Sequence, residues 1–142
     1  MARTRTAIGY LLPTRESVMA QETPDLSRII HLAEHAEALG FDSLWVGDSI
    51  LARPRLEPLT TLAAVASRTR DVKLGTAVLL PALRHPVILA NELANLDLIC
   101  SGRLILGLGI AGNHPVVEEE FAACGVAFRH RISIFEEGVA LM

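Results

Sequence analysis

The stretch from Val72 to Gly112 constrains the fold more than any other part of this chain, because two apolar runs there bracket one helical segment. The first run, Val72 to Leu80, is rich in β-branched residues and leucine and is closed by Pro81. The helical segment opens at His85-Pro86 and closes at Ser101-Gly102, with Pro suited to a first helical turn and Gly to a helix end. The second run, Arg103 to Ile110, finishes among glycines. Strand, crossover helix and strand make a βαβ unit, and runs this continuous predict strands buried on both faces of a parallel sheet. Such a crossover is right-handed, with its helix outside the sheet.

The alternation continues on either side. Ala7 to Leu12 predicts a first strand ended by Pro13, and Thr14 to Glu22 a polar loop. Thr23 is a good N-cap with Pro24 at the first helical position, and Leu26, Ile29, Ile30, Ala33 and Ala36 then form a helical stripe ended by Gly40. Phe41 to Val46 predicts a second strand running into Gly47-Asp48-Ser49. A loop through Arg53-Pro54-Arg55 leads to a helix from Pro58, with Leu59, Leu62, Ala63 and Ala66 on one face, and Arg70-Asp71 turns into the next strand. Beyond Gly112, Asn113-His114-Pro115 starts a short acidic helix ending near Cys124-Gly125, and a last helix runs from about Arg129. Four strands alternating with helices give an α/β fold. The pattern alone leaves both a doubly wound sheet and part of a (β/α)8 barrel open.

Composition narrows the function. With 51% hydrophobic and 20% charged residues, the chain can build one core. Thirteen basic against sixteen acidic residues, net charge −3, predict neither a nucleic-acid partner nor an anionic membrane. Cys100 and Cys124 have no metal or redox spacing, and the apolar run from Ala7, broken by Gly9, is too short for a signal or a span. A reduced, cytoplasmic protein is the expectation.

The blocks LGTAVLLPALRHPVILANELANLD (Leu74 to Asp97) and SGRLILGLGIAG (Ser101 to Gly112) resemble the luciferase-like monooxygenase superfamily of flavin- or F420-dependent oxidoreductases. The resemblance extends back through GFDSLWVGDS (Gly40 to Ser49) and forward through EEEFAACGVAFRHR (Glu118 to Arg131). It implies the N-terminal half of a (β/α)8 TIM barrel, four parallel strands with intervening helices. A complete barrel takes about 250 residues, so residues 1–142 are expected to be one partial domain, truncated at the C-terminus inside the helical pattern Val139 to Met142. A half barrel exposes its first and fourth strands, which leaves pairing with a second copy as the other possibility and makes a homo-oligomer the expected state.

What the resemblance implies about the site follows the strand ends, since barrel active sites lie on the loops there. The ring of coenzyme F420 or FMN would pack over the mouth. A non-proline cis peptide in the third strand of family members matches Ala77-Val78, and Ala77, Val78, Leu80, Gly109 and Asn113 are the candidate cofactor-binding residues. Asp48 and Ser49 are the catalytic candidates. Family members often carry acid-His where this chain has Asp48-Ser49, and a hydroxyl is a poor base near neutral pH. The implied activity is hydride transfer with F420, or monooxygenation with reduced FMN, on a small organic substrate. The GLGIAG-Asn113-His114-Pro115 block and the turn at Arg84-His85 look most like the F420 branch. The alternative is a non-catalytic flavin-binding or structural half barrel that dimerises.

Other patterns carry less. Gly107 to Gly112 satisfies G-x-G-x-x-G, but a loop follows where a dinucleotide site wants a helix. His31 and His35 share a helix face without the zinc-protease glutamate, so a solvated face and no metal are expected. Glu118-Glu119-Glu120 reads as the acidic first turn of a helix. Arg84-His85 could meet an acidic group or simply start a helix.

Overall fold

The computed structural model describes residues 6–20, 23 and 25–142. Strands β1 (Gly9–Leu11), β2 (Ser43–Val46), β3 (Lys73–Thr76) and β4 (Leu104–Ile105) form one sheet in the order β1-β2-β3-β4. Every pairing is parallel, with Leu11 opposite Trp45, Trp45 opposite Gly75, and Gly75 opposite Ile105. Helices α2 (Leu26–Ala38), α3 (Pro58–Ala66) and α4 (Pro86–Ile99) are the crossovers. These are four successive βα units in the order of a (β/α)8 barrel, the N-terminal half of one.

The period-two strands and 3.6-period helices meet in one core. Leu44 and Val46 of β2 are fully buried with Ile29 and Ala33 of α2, Leu62 and Val65 of α3, and Leu89 and Leu93 of α4. Each of the larger side chains contributes about 1.5–3 kcal/mol by leaving water. The opposite sheet face looks toward the barrel axis. There the Trp45 indole donates from Nε1 to Ser43 Oγ at 2.8 Å and lies flat across its neighbours. A Cβ on Gly9 would meet the indole and lie 2.7 Å from Ser43 Oγ, and one on Gly75 would lie 2.5 Å from Trp45 Cε3. Glycine on both flanking strands is what lets one indole fill this layer.

At the lower end of the sheet, Arg103 is 8% exposed yet fully partnered. Its guanidinium donates to the carbonyls of Cys100, Val72, Ala66 and Thr69 and to Thr69 Oγ1, at 2.8–3.2 Å. Glu37 Oε1 accepts from the backbone N–H of Arg70, Asp71 and Val72 at 2.8–3.0 Å. Burial works against the Glu37 charge, but those backbone donors, Val72 first, hold its pKa below the usual glutamate value.

Several expectations need correction. Residues Thr14–Met19 form a short helix, α1, where a polar loop was expected, with Ser17 N and Oγ both donating to Pro13 O. Helix α2 is capped by Asp25, whose carboxylate accepts from Ser27 N at 2.9 Å, so Thr23 is not the cap; Pro24 lies outside the described residues. The strands are shorter than their apolar runs. The β3 ladder stops at Thr76, the Ala77-Val78 peptide is cis, and pairing resumes only as a bridge between Leu79 and Leu108. Ile105 on β4 and Leu106 just after it are exposed, against the expected burial on both faces, because β4 is an edge of this sheet. Helices α5 (Pro115–Ala123) and α6 (Arg131–Leu141) follow, joined by a 3-10 turn over Phe128–His130.

Candidate functional site

The upper ends of the four strands, their C-terminal ends, carry the loops that shape the site. After β2, Asp48 points to the helix side, where its side chain is 1% exposed. Its Oδ2 accepts from Leu80 N at 2.9 Å and from Arg84 Nη1 at 2.5 Å, and its Oδ1 accepts from Arg84 Nη2 at 3.0 Å. Arg84 also reaches Glu57 Oε1 at 3.2 Å. Burial opposes the Arg84 charge, yet the Asp48 hydrogen bonds and charge, with Glu57 behind them, carry its pKa upward. Both oxygens of Asp48 are thus committed, and it ties the end of β2 to the end of β3.

Ser49 is 8% exposed and used twice: its hydroxyl donates to Glu120 Oε1 at 2.9 Å and accepts from Arg53 N at 2.8 Å. The same Glu120 oxygen accepts from the N–H groups of Ile50, Leu51 and Ala52 at 2.5, 2.8 and 3.3 Å. Glu120 is 1% exposed, so the expected acidic first turn is divided. Glu118 occupies it, while Glu120 is buried and clamps the β2 loop onto α5. Helical arithmetic from Pro115 carries the signal: Val117, Glu120, Phe121 and Cys124 share one face, and Phe121 is fully buried against Phe128.

A cleft of about 420 Å³ lies between these loops, lined by Asp48, Ser49, Arg53, Leu80, Asn113, His114 and Glu120 among others. Four of the sequence candidates, Asp48, Ser49, Leu80 and Asn113, meet there. The other three form a separate group beside it. Val78 is 42% exposed, and a Cβ on Gly109 would lie 2.5 Å from Val78 Cγ2 and 3.6 Å from Leu80 Cδ2. Gly109 therefore serves the packing of β4's end against Val78, and Gly107 likewise, since a Cβ there would collide with the carbonyl of Thr76. Thr14 Oγ1, just past the end of β1, is buried without a hydrogen-bond partner among the described residues. His31 and His35 are exposed on α2, and among the described residues no group of three or more His, Cys, Asp or Glu is placed to hold a metal.

Residues 6–142 match the luciferase-like monooxygenase family. The chain belongs to that family. Among its relatives, an F420-dependent glucose-6-phosphate dehydrogenase from Amycolatopsis mediterranei is 40% identical over 88 residues, 57% of this chain and 26% of that protein. Among solved structures, a monooxygenase from Streptomyces bottropensis superposes with a TM-score of 0.82 at 32% identity, covering 96% of this chain and 41% of that one. The oxygenating constituent of 3,6-diketocamphane monooxygenase from Pseudomonas putida, in complex with FMN, gives 0.79 at 24% identity, 97% and 38%; at that identity the likeness is one of fold. This luciferase-like chain spans about a third or less of these curated relatives and about two-fifths of these solved ones.

Proposed function

We propose that this chain supplies the N-terminal half of an oxidoreductase that uses F420 or FMN on a small organic substrate, with Ala77, Val78, Leu80, Gly109 and Asn113 at the cofactor. The observation that carries it is the uncovered apolar step at the end of β3: Val78, 42% exposed, is propped from behind by the end of β4 at Gly109. A flat ring fits such a step, because it gains contact with Val78 on one face without displacing a charged group. When bound, the cofactor supplies the redox chemistry, hydride transfer for F420 and oxygen activation for reduced FMN.

The chain's own residues do the positioning. Asp48 and Arg84 lock the start of the β3 turn, and Glu120 with Ser49 fixes the loop opposite, so the cleft keeps its shape. Asp48 and the Ser49 hydroxyl are both engaged in these hydrogen bonds, and proton exchange would fall to His114, the imidazole among the cleft-lining residues. Support for F420 comes from the 40% identical relative, which is named for that cofactor. Turnover tests the reading: with candidate substrates, loss of the oxidised deazaflavin's visible absorbance supports the F420 arm, and substrate-dependent oxygen uptake with reduced FMN supports the other. Neither signal from the whole protein that carries this half would refute it.

The unpaired thiols of Cys100 and Cys124 support a reducing, cytoplasmic setting. Among the described residues, no helix is long and apolar enough to cross a membrane. Self-association is part of the proposal, supported by Val87, Ile88, Leu98 and Ile99, which α4 leaves 52–77% exposed. Sedimentation velocity showing a monomer at all concentrations would remove it.

A further inference from the structure

We infer that Arg55 is an anion-binding residue inside the barrel mouth. Alternation along β2 places Ser43, Trp45 and Gly47 on the axial face, because Leu44 and Val46 between them are buried among the helices. The space a Cβ of Gly47 would fill is occupied by the Arg55 guanidinium: Cζ would lie 2.9 Å away and Nη1 closer still. The guanidinium therefore lies over the sheet's inner face, one layer above the Trp45 indole. Ala77 N donates to Val46 O at 2.7 Å, which puts the cation beside the Ala77-Val78 step. The segment is pinned by Leu56 N, which donates to Thr14 O at 3.3 Å at the end of β1.

Arg55, unlike Arg84, Arg68 and Arg103, is unspent while lying over the sheet's inner face. Arg84 is paired with Asp48 and Glu57, Arg68 with Glu34, and Arg103 is saturated by carbonyls. Arg55 makes one long hydrogen bond, from Nε to Arg53 O at 3.4 Å, and among the described residues no carboxylate pairs with it. Its two terminal amino groups form the fork that matches a carboxylate or a phosphate. A half-buried guanidinium with no counter-charge attracts an anion into the mouth. The ligand chemistry is thus a carboxylate or phosphate group. Which molecule brings it, cofactor or substrate, rests on the proposed function; the site itself does not.

Trp45 is the only tryptophan, which makes the test direct. Its fluorescence is quenched with iodide, an anion, and with acrylamide, which is neutral. In Arg55→Gln the iodide quenching constant should fall about twofold or more while the acrylamide constant holds. Gly47→Ala, which pushes the guanidinium out of its place but keeps the charge, should lower iodide quenching too, and Arg55→Lys should retain most of it. Inorganic phosphate should protect Trp45 from iodide in the parent and not in Arg55→Gln. If phosphate protection disappears once F420 or FMN is bound, the cofactor supplies the anion; if it persists, the substrate does. Iodide quenching that falls no more than acrylamide quenching in Arg55→Gln overturns the inference and leaves the cofactor reading untouched, as failure to bind cofactor would leave the anion site untouched.

Discussion

Replacing Glu120 by Ala should be among the most damaging changes of a single charged residue in this chain. One oxygen of Glu120 serves the Ser49 hydroxyl and three consecutive backbone N–H groups, and the residue is 1% exposed. Truncation leaves four donors without their acceptor, each worth about 1 kcal/mol or more when stranded. The three N–H groups are half-buried, so water recovers part of that, and a net loss of about 3 kcal/mol is expected. Against a total stability of about 5–15 kcal/mol, urea titration followed by circular dichroism would show it clearly. Glu120→Gln keeps the accepting oxygen and loses only the charge, and should cost about 1 kcal/mol. The release is also local: Leu56 follows Arg55 in the freed loop, so trypsin should nick the Ala variant at that bond before global unfolding, while the bond before Pro54 stays resistant. An Ala variant within about 0.5 kcal/mol of the parent, with no faster nicking, would refute the clamp; changes that small are ordinary surface effects.

Other consequences follow from the same geometry. Glu37 has its pKa depressed by three backbone donors, so its contribution is present above its unfolded-state pKa and lost as pH falls through the lower folded value; Glu37→Gln should therefore lower the midpoint of thermal unfolding at neutral pH and flatten its decline in acid. Gly107→Ala should be far worse than Gly109→Ala in denaturant titrations, because the first collides with the backbone carbonyl of Thr76 and the second with the side chain of Val78, which can turn away. Arg103→Met should cost about 3–5 kcal/mol by stranding buried carbonyls, measured as a shifted urea midpoint.

Much of the fold was legible because the apolar periods are clean. The runs Phe41 to Val46 and Val72 to Leu80, and the stripes from Ile29 and Leu59, place every crossover within a few residues. The strands came out shorter than their runs, since Leu79 and Leu108 continue the apolar pattern past the cis Ala77-Val78 step that interrupts the ladder. Helix α1 was missed because Thr14 to Met19 is polar and only six residues long, with too little pattern to read. At the site, strand ends located the candidates, but spacing says nothing of partners. Asp48, a catalytic candidate by its place at a strand end, is locked to Arg84. Glu120, expected in an acidic first turn, is buried on the face it shares with Val117, Phe121 and Cys124. Arg55 carried no sequence signal beyond its loop, because only the missing Cβ of Gly47 shows where its guanidinium goes.

The central claim is that the Val78 step is the seat of a flavin-type ring. Its most direct measurement is a fluorescence titration of the whole protein that carries this half with F420, with FMN as competitor, in the parent and in Val78→Asp. The account predicts saturable binding to the parent and loss of most of it in Val78→Asp, with circular dichroism unchanged. Binding that survives the aspartate, or no binding of either cofactor to the parent, would contradict the claim that these strand ends hold the ring.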